Sequence, residues 1–310
     1  MKITDLFSGN IFLAPMAGFT DAGFRALAKK YGAALTVTEM VSAKALSMNS
    51  RISKELLFTA DAEKPVAVQL FGHESEVFAR VAKSPEIEKF DIIDINMGCP
   101  MKKIVANGDG SALMNDPVTA SKLISAARQS GKFVSVKFRL GICDDSKAVG
   151  FARMCRDSGA DMITVHGRTQ KQLYSGAADW QAIAKVVKSV GIPVVANGDV
   201  ESKADYENCL DVTGAYGVAI GRGALGKPYI FSEIIGAEYE FDILQSIKEH
   251  IAVLSCYISQ KVVANVMKKH ICHYVKGIPG SKTLAAKVCG ASETDEMLRY
   301  TEDFLNGIKN

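Results

Sequence analysis

Eight short runs rich in β-branched and apolar residues punctuate the first three quarters of the chain: Ile11–Pro15, Leu35–Thr38, Val66–Leu70, Ile92–Asn96, Val134–Phe138, Met162–His166, Pro193–Asn197 and Gly217–Ile220. Stretches with helical periodicity separate them and carry helix-start signals. Thr20-Asp21 precedes Phe24–Tyr31, Ser75 precedes Val77–Ala82, and Asp116-Pro117 precedes Val118–Arg128, where proline suits the first turn. Strand and helix repeated eight times predict an α/β fold, a (β/α)8 TIM barrel. Several runs are apolar without alternation, as expected when the barrel filling covers one face and helices the other.

The barrel should end near Ala237. From Phe241 onward apolar residues recur only at helical spacing, through Ile243–Ile258, Val262–Val275, Thr283–Val288 and Glu296–Ile308, with a Gly277-Ile278-Pro279-Gly280 break. We therefore expect a catalytic barrel over residues 1–237 and a small all-helical domain over 241–310. A chain of 310 residues, 48% hydrophobic, can bury a core of that size. Met1-Lys2-Ile3-Thr4-Asp5 opens no leader, and charges or glycines break every apolar run, so a soluble protein with no membrane span is expected. Seven cysteines without CxxC spacing argue against a disulfide framework or a zinc cage and for a reducing cytoplasm. No metal is expected: His270 and His273 lie three apart, but no Asp or Glu is near them in sequence. Without heptads, a monomer is expected.

In such barrels the chemistry lies at the C-terminal ends of the strands. The residues there are Pro15-Met16, Gln69, Asn96, Lys137, His166, Asn197 and Gly221-Arg222, a basic, amide and imidazole set that packing does not explain. Gly221-Arg222-Gly223 ends the eighth strand, and Asn197-Gly198-Asp199 the seventh. Glycine-freed backbone N–H groups, a helix start and an arginine predict a phosphate site there. Those glycines do not open a βαβ unit, so a cofactor with a single phosphate, FMN, fits better than a dinucleotide. Lys137 can supply the cation a reduced flavin needs, and Gln69 with the backbone of Ala14, Pro15 and Met16 its edge contacts. Lys137 alone could equally be the Schiff-base lysine of an aldolase-type barrel. His166 shares the rim with Lys137 and Asn197, which favours contact with ring or phosphate. The stretch from Asp94 through Asn96-Met97-Gly98-Cys99-Pro100 to Lys103 sets a thiol on a loop at the barrel mouth, a candidate general acid.

Leu-Ala-Pro-Met-Ala-Gly (13–18), Thr38-Glu39-Met40, Val68-Gln69-Leu70, Asn-Met-Gly-Cys-Pro (96–100), Val136 to Gly141, Val165 to Thr169, Asn197-Gly198-Asp199 and Gly221-Arg222-Gly223 together resemble the tRNA-dihydrouridine synthase family nearly end to end. The resemblance implies an FMN enzyme that reduces uridine in the tRNA D-loop with NADPH as reductant. In it Cys99 protonates C5 while flavin delivers hydride to C6, and Asn96 and Arg139 position the base. Lys137, Gln69 and His166 would hold the flavin ring and chain, and Asn197, Gly198, Asp199, Gly221 and Arg222 its phosphate.

Lys102, Lys103 and Arg168 at the mouth, and Lys268, Lys269 and His270 in the tail, are expected on the substrate side. Ile251 to Ser292 holds six lysines and no acid, which suits a polyanion. Two other readings use the same residues: an FMN oxidoreductase acting on a free pyrimidine, like dihydroorotate dehydrogenase, and a non-catalytic tRNA-binding barrel protein.

Overall fold

The computed structural model describes residues 1–309. Each of the eight runs forms a strand. In chain order these are β1 (Ile11–Leu13), β2 (Thr36–Val37), β4 (Val66–Phe71), β5 (Ile92–Met97), β6 (Phe133–Arg139), β7 (Met162–His166), β8 (Val194–Asn197) and β9 (Gly217–Ile220), with a two-residue β3 (Val41–Ser42) between the second and third. All pair in parallel in the order β1-β9-β8-β7-β6-β5-β4-β2. A bridge from Phe12 to Leu35 joins the two ends and closes the circle. The expected (β/α)8 barrel is present. β3 was not foreseen, because two residues show no periodicity; it pairs with the end of β4 and carries the chain past Thr38, Glu39 and Met40 along the mouth.

Strand alternation sorts the barrel into two layers. Val66, Val68 and Leu70 of β4, Ile93, Ile95 and Met97 of β5, and Val134, Val136 and Phe138 of β6 belong to the large core shared with the surrounding helices. Their alternate neighbours face the barrel axis. The lower layers there are apolar, with Phe12, Leu35, Ala67, Ile92, Met162 and Val195 in one cluster. Above them come Gln69, Asp94 and Ser135, then Asn96, Lys137 and Thr164, and nearest the mouth His166 and Asn197. The parallel register aligns Asp94 with Ser135, Asn96 with Lys137, and His166 with Asn197, so the polar side chains fall into common layers. The apolar appearance of these strands therefore hides a polar upper interior.

Beyond β9 and a short helix at Ile230–Ile235, four helices follow at Ile243–Ser255, Gln260–Tyr274, Ser281–Gly290 and Thr294–Lys309. They share their own apolar cluster, which reaches the barrel through Leu27 on the helix Ala22–Lys30. Asp21 and Asp242 cap their helices by accepting the backbone N–H of Phe24 and Gln245. No helix among the described residues is long and apolar enough to cross a membrane.

Candidate active site

Cys99 sits two residues past β5, with its peptide held at both ends. Oδ1 of Asn96 accepts the Cys99 N–H at 2.9 Å and the Gly98 N–H at 3.2 Å. The Cys99 carbonyl accepts Ser111 Oγ at 2.9 Å and Ser111 N–H at 3.1 Å. Gly110 lies against the same peptide: at φ +60° it occupies left-handed space, and a Cβ there would stand 2.8 Å from the Cys99 carbonyl oxygen. Burial pushes the Cys99 thiol up, and the Met101 backbone, Arg139 and Lys137 only partly offset it. At neutral pH the sulfur carries its proton, as an acid must.

Beside it, Asn96 donates to Gln69 Oε1 at 2.8 Å and Gln69 donates to Asp94 Oδ2 at 2.7 Å. Ser135 also donates to Asp94. This chain of buried amides fixes the orientation of Asn96 and so of the thiol loop. Lys137 donates to Asn197 Oδ1 at 3.0 Å, and Asn197 donates to the Ala219 carbonyl at 2.8 Å. Burial first, then Arg139, brings the Lys137 ammonium down to about 8 against the pull of Asp94 and Cys99. His166 is brought to about 2 by burial and then by Lys137, Arg139, Arg168 and Arg222, so it is a neutral hydrogen-bonding ring. Gly198 packs on it: at φ +126° its missing Cβ would stand 2.8 Å from Ala178 Cβ and 3.2 Å from His166.

Several residues expected to touch ligand work on the protein instead. Arg168 is 2% exposed; it donates to the carbonyls of Ser175 and Gly176 and pairs with Asp199 at 2.6 Å. A side chain so enclosed cannot grip RNA, and Asp199 serves as anchor for Arg168 and, at 3.5 Å, for Arg222. As a carboxylate, Asp199 would repel a phosphate. Arg139 donates to the carbonyls of Gly98, Thr169 and Leu173, which places it beside the thiol while tying down the loop after β7.

His270 is 1% exposed and spends Nε2 on Asp21, so it is not on the RNA side. Lys269 reaches the barrel, with Nζ 5.0 Å from the ring centre of Phe19. Lys102 and Lys103 are exposed on the short helix Lys102–Ala106 just beyond Cys99, and Lys268 is half-buried.

Tyr174 was missed. It is 56% exposed on the loop after β7, and its ring lies 5.5 Å from the Arg139 guanidinium and 5.3 Å from that of Arg222. Its position after a non-repeating loop gave no periodic signal. Asp94 could have been found, since it stands two residues before Asn96 on the same strand face. His250 could not: it is a lone histidine in an apolar helix.

His250 and His270 nevertheless meet Asp21, giving three metal-capable groups with ligand atoms within 4.8 Å. No Asp or Glu lies near His270 in sequence, but in space Asp21 arrives from the other end of the chain. Asp21 Oδ1 already accepts the Phe24 N–H and His250 Nε2, and the rings of Phe19 and Phe24 flank the histidines. Hydrogen bonds to Asp21 occupy Nε2 of both histidines, while the buried Nδ1 of His250 has no partner.

The donor set suits a flavin. Lys137 offers a buried cation, His166 and Gln69 offer neutral partners, and Arg222 is half-exposed where β9 ends in a single turn of helix.

A family model described as dihydrouridine synthase matches residues 12–309. A probable tRNA-dihydrouridine synthase of Rickettsia conorii is 43% identical over 286 residues, 88% of this chain and 86% of that one. A tRNA-dihydrouridine synthase B of Xanthomonas axonopodis pv. citri is 35% identical over 309 residues, covering 96% and 93%. Among solved structures, histamine dehydrogenase from Rhizobium sp. 4-9 superposes with TM-score 0.58 at 12% identity, over 80% of this chain and 49% of that one. Morphinone reductase gives 0.55 at 12%, over 76% and 88%. At such identity these two share the fold.

Proposed function

This chain belongs to the dihydrouridine synthase family, and on that footing we propose that it reduces the C5–C6 double bond of uridines in tRNA, with FMN at the barrel mouth and NADPH as reductant. The observation that carries this reading is the placement of Cys99, whose peptide is pinned through Asn96 and Ser111 beside Lys137 and Arg139.

Bound reduced flavin supplies the hydride to C6. Lys137 would hold positive charge beside the flavin ring, Gln69 and His166 would orient it, and Asn197, Gly198, Gly221 and Arg222 would receive the phosphate. Asn96 and Arg139 hold the loop that carries the thiol, and Cys99 gives its proton to C5. The uridine must leave its stack to reach this depth, which is least costly in a loop such as the D-loop. Lys102 and Lys103 beside Cys99 and Lys269 beside Phe19 would meet the phosphates, with Lys268 next to it on the tail helix.

Nucleoside mass spectrometry of bulk tRNA tests the reading, in a strain lacking the gene and in the same strain with wild type or Cys99→Ala restored. Dihydrouridine should fall in the deletion and return only with wild type. Full recovery with Cys99→Ala would remove Cys99 as the acid. A purified sample without flavin absorbance would favour a non-catalytic barrel.

A further inference from the structure

The segment that follows the thiol, residues 99 to 111, leaves the barrel, forms the helix Lys102–Ala106 with no buried residue, and returns to lie on Cys99 through Gly110 and Ser111. Such an excursion needs an anchor where it returns, or the contacts of Gly110 and Ser111 with the Cys99 peptide move with it.

The anchor comes from another loop. His73, just after β4, places Nδ1 2.8 Å from Oδ1 of Asp109, the residue before Gly110. His73 is 44% exposed and Asp109 8%, so the carboxylate is enclosed while the imidazole covers it from the solvent side. Gly108 packs beneath the ring: its missing Cβ would stand 3.9 Å from the imidazole. The Asp109 N–H donates to the Ile104 carbonyl at 3.2 Å and its own carbonyl accepts from Ala112 at 3.2 Å, so the residue is set in its turn from both sides.

We infer that His73 is a positioning residue for the general acid: by holding Asp109 it fixes the return of the 99–111 segment and thereby the placement of the Cys99 thiol. The inference rests on Cys99 being the acid. A thiol displaced by a fraction of an ångström loses proton-transfer efficiency, whereas the reduction of flavin does not use the thiol; Lys102 and Lys103 ride on the same segment, so KM for tRNA can move with it.

The test uses the flavin-loaded enzyme and unmodified tRNA transcript, with kcat and KM for tRNA measured alongside the rate at which NADPH bleaches the flavin. His73→Ala and Asp109→Ala should each lower kcat about tenfold and leave bleaching unchanged. The double variant should lose no more than either single one, since both remove one link. His73→Asn, whose amide nitrogen stands where Nδ1 does, should restore most of the rate.

An unchanged kcat in His73→Ala, a loss confined to KM, or a double variant slower by about a hundredfold would each overturn the inference. Cys99→Ala in the same assay separates the two readings: full activity there removes the premise, whereas its loss with an unaffected His73→Ala removes only the role of His73.

Discussion

Asp21, which caps the first barrel helix, accepts a hydrogen bond of 2.7 Å from Nε2 of His250 in the first C-terminal helix, across 229 positions of sequence. His270 reaches the other carboxylate oxygen at 3.0 Å. One buried carboxylate thus ties two tail helices to the rim of the barrel.

That tie makes stability depend on pH with a definite sign. Burial would raise Asp21 on its own, but the two imidazoles outweigh it and hold the carboxyl well below its usual range. Burial, then His250, brings His270 down to about 4. A histidine depressed on folding contributes stability above its unfolded value and loses it as pH falls. As pH falls from about 6.5 towards 4 the fold should therefore lose stability progressively, because the unfolded chain takes up the proton that buried His270 refuses. Urea denaturation at pH 7 and pH 5 should show the drop. Asp21→Asn should cost about 3 kcal/mol at pH 7, by leaving one imidazole unpaired.

Lys137 should show the reverse balance. An ammonium brought to about 8 by burial is a group the flavin-free fold holds at a cost, up to about 3 kcal/mol at pH 7. Lys137→Met should raise the melting temperature of flavin-free protein while lowering uridine reduction by about a hundredfold or more. A variant that is both inactive and less stable would show that the lysine serves packing rather than charge.

Arg168 and Tyr174 separate architecture from function on one loop. Arg168→Met removes buried bonds to Ser175, Gly176 and Asp199, and should cost about 2 kcal/mol, less than a fully enclosed pair because Asp199 is 32% exposed. Tyr174→Ala loses an exposed ring between two guanidiniums and should leave the melting temperature within about a degree. If that ring meets the RNA, kcat/KM for tRNA falls about tenfold, the worth of one stacking contact.

The barrel was legible because its signal is repeated: each strand alone is ambiguous, but eight in alternation are not. The polar layer of the candidate site was legible in part, since Gln69, Asn96, Lys137, His166 and Asn197 lie at or near the ends of their strands and stand out as polar. Sequence could not say which polar group meets another. Arg168 and Asp199 looked like ligand contacts because they flank a glycine turn, yet they satisfy each other. His270 looked available because its acidic partner lies 249 positions away. Long-range pairing of this kind leaves no periodic trace, and it is what decides whether a polar residue faces solvent or spends itself inside.

The lysines of the helical region give the last expectation. Lys261 and Lys268 lie seven residues apart on one face of the helix Gln260–Tyr274, and Lys276 follows just past its end. Lys261 and Lys276 are exposed and Lys268 half-buried, with no acid from Ile251 to Ser292 to pair with them in sequence. Lysines that neutralise phosphates release counterions, so the logarithm of affinity for tRNA should fall linearly with the logarithm of salt concentration. Each Lys→Ala substitution that removes a phosphate contact should flatten that slope by about 0.7 to 0.9. Filter binding from 50 to 300 mM salt, on the triple variant and on wild type, checks it. A slope unchanged by all three substitutions would move the RNA path to Lys102 and Lys103 beside Cys99, where the same measurement on Lys102→Ala/Lys103→Ala should then find the missing contacts.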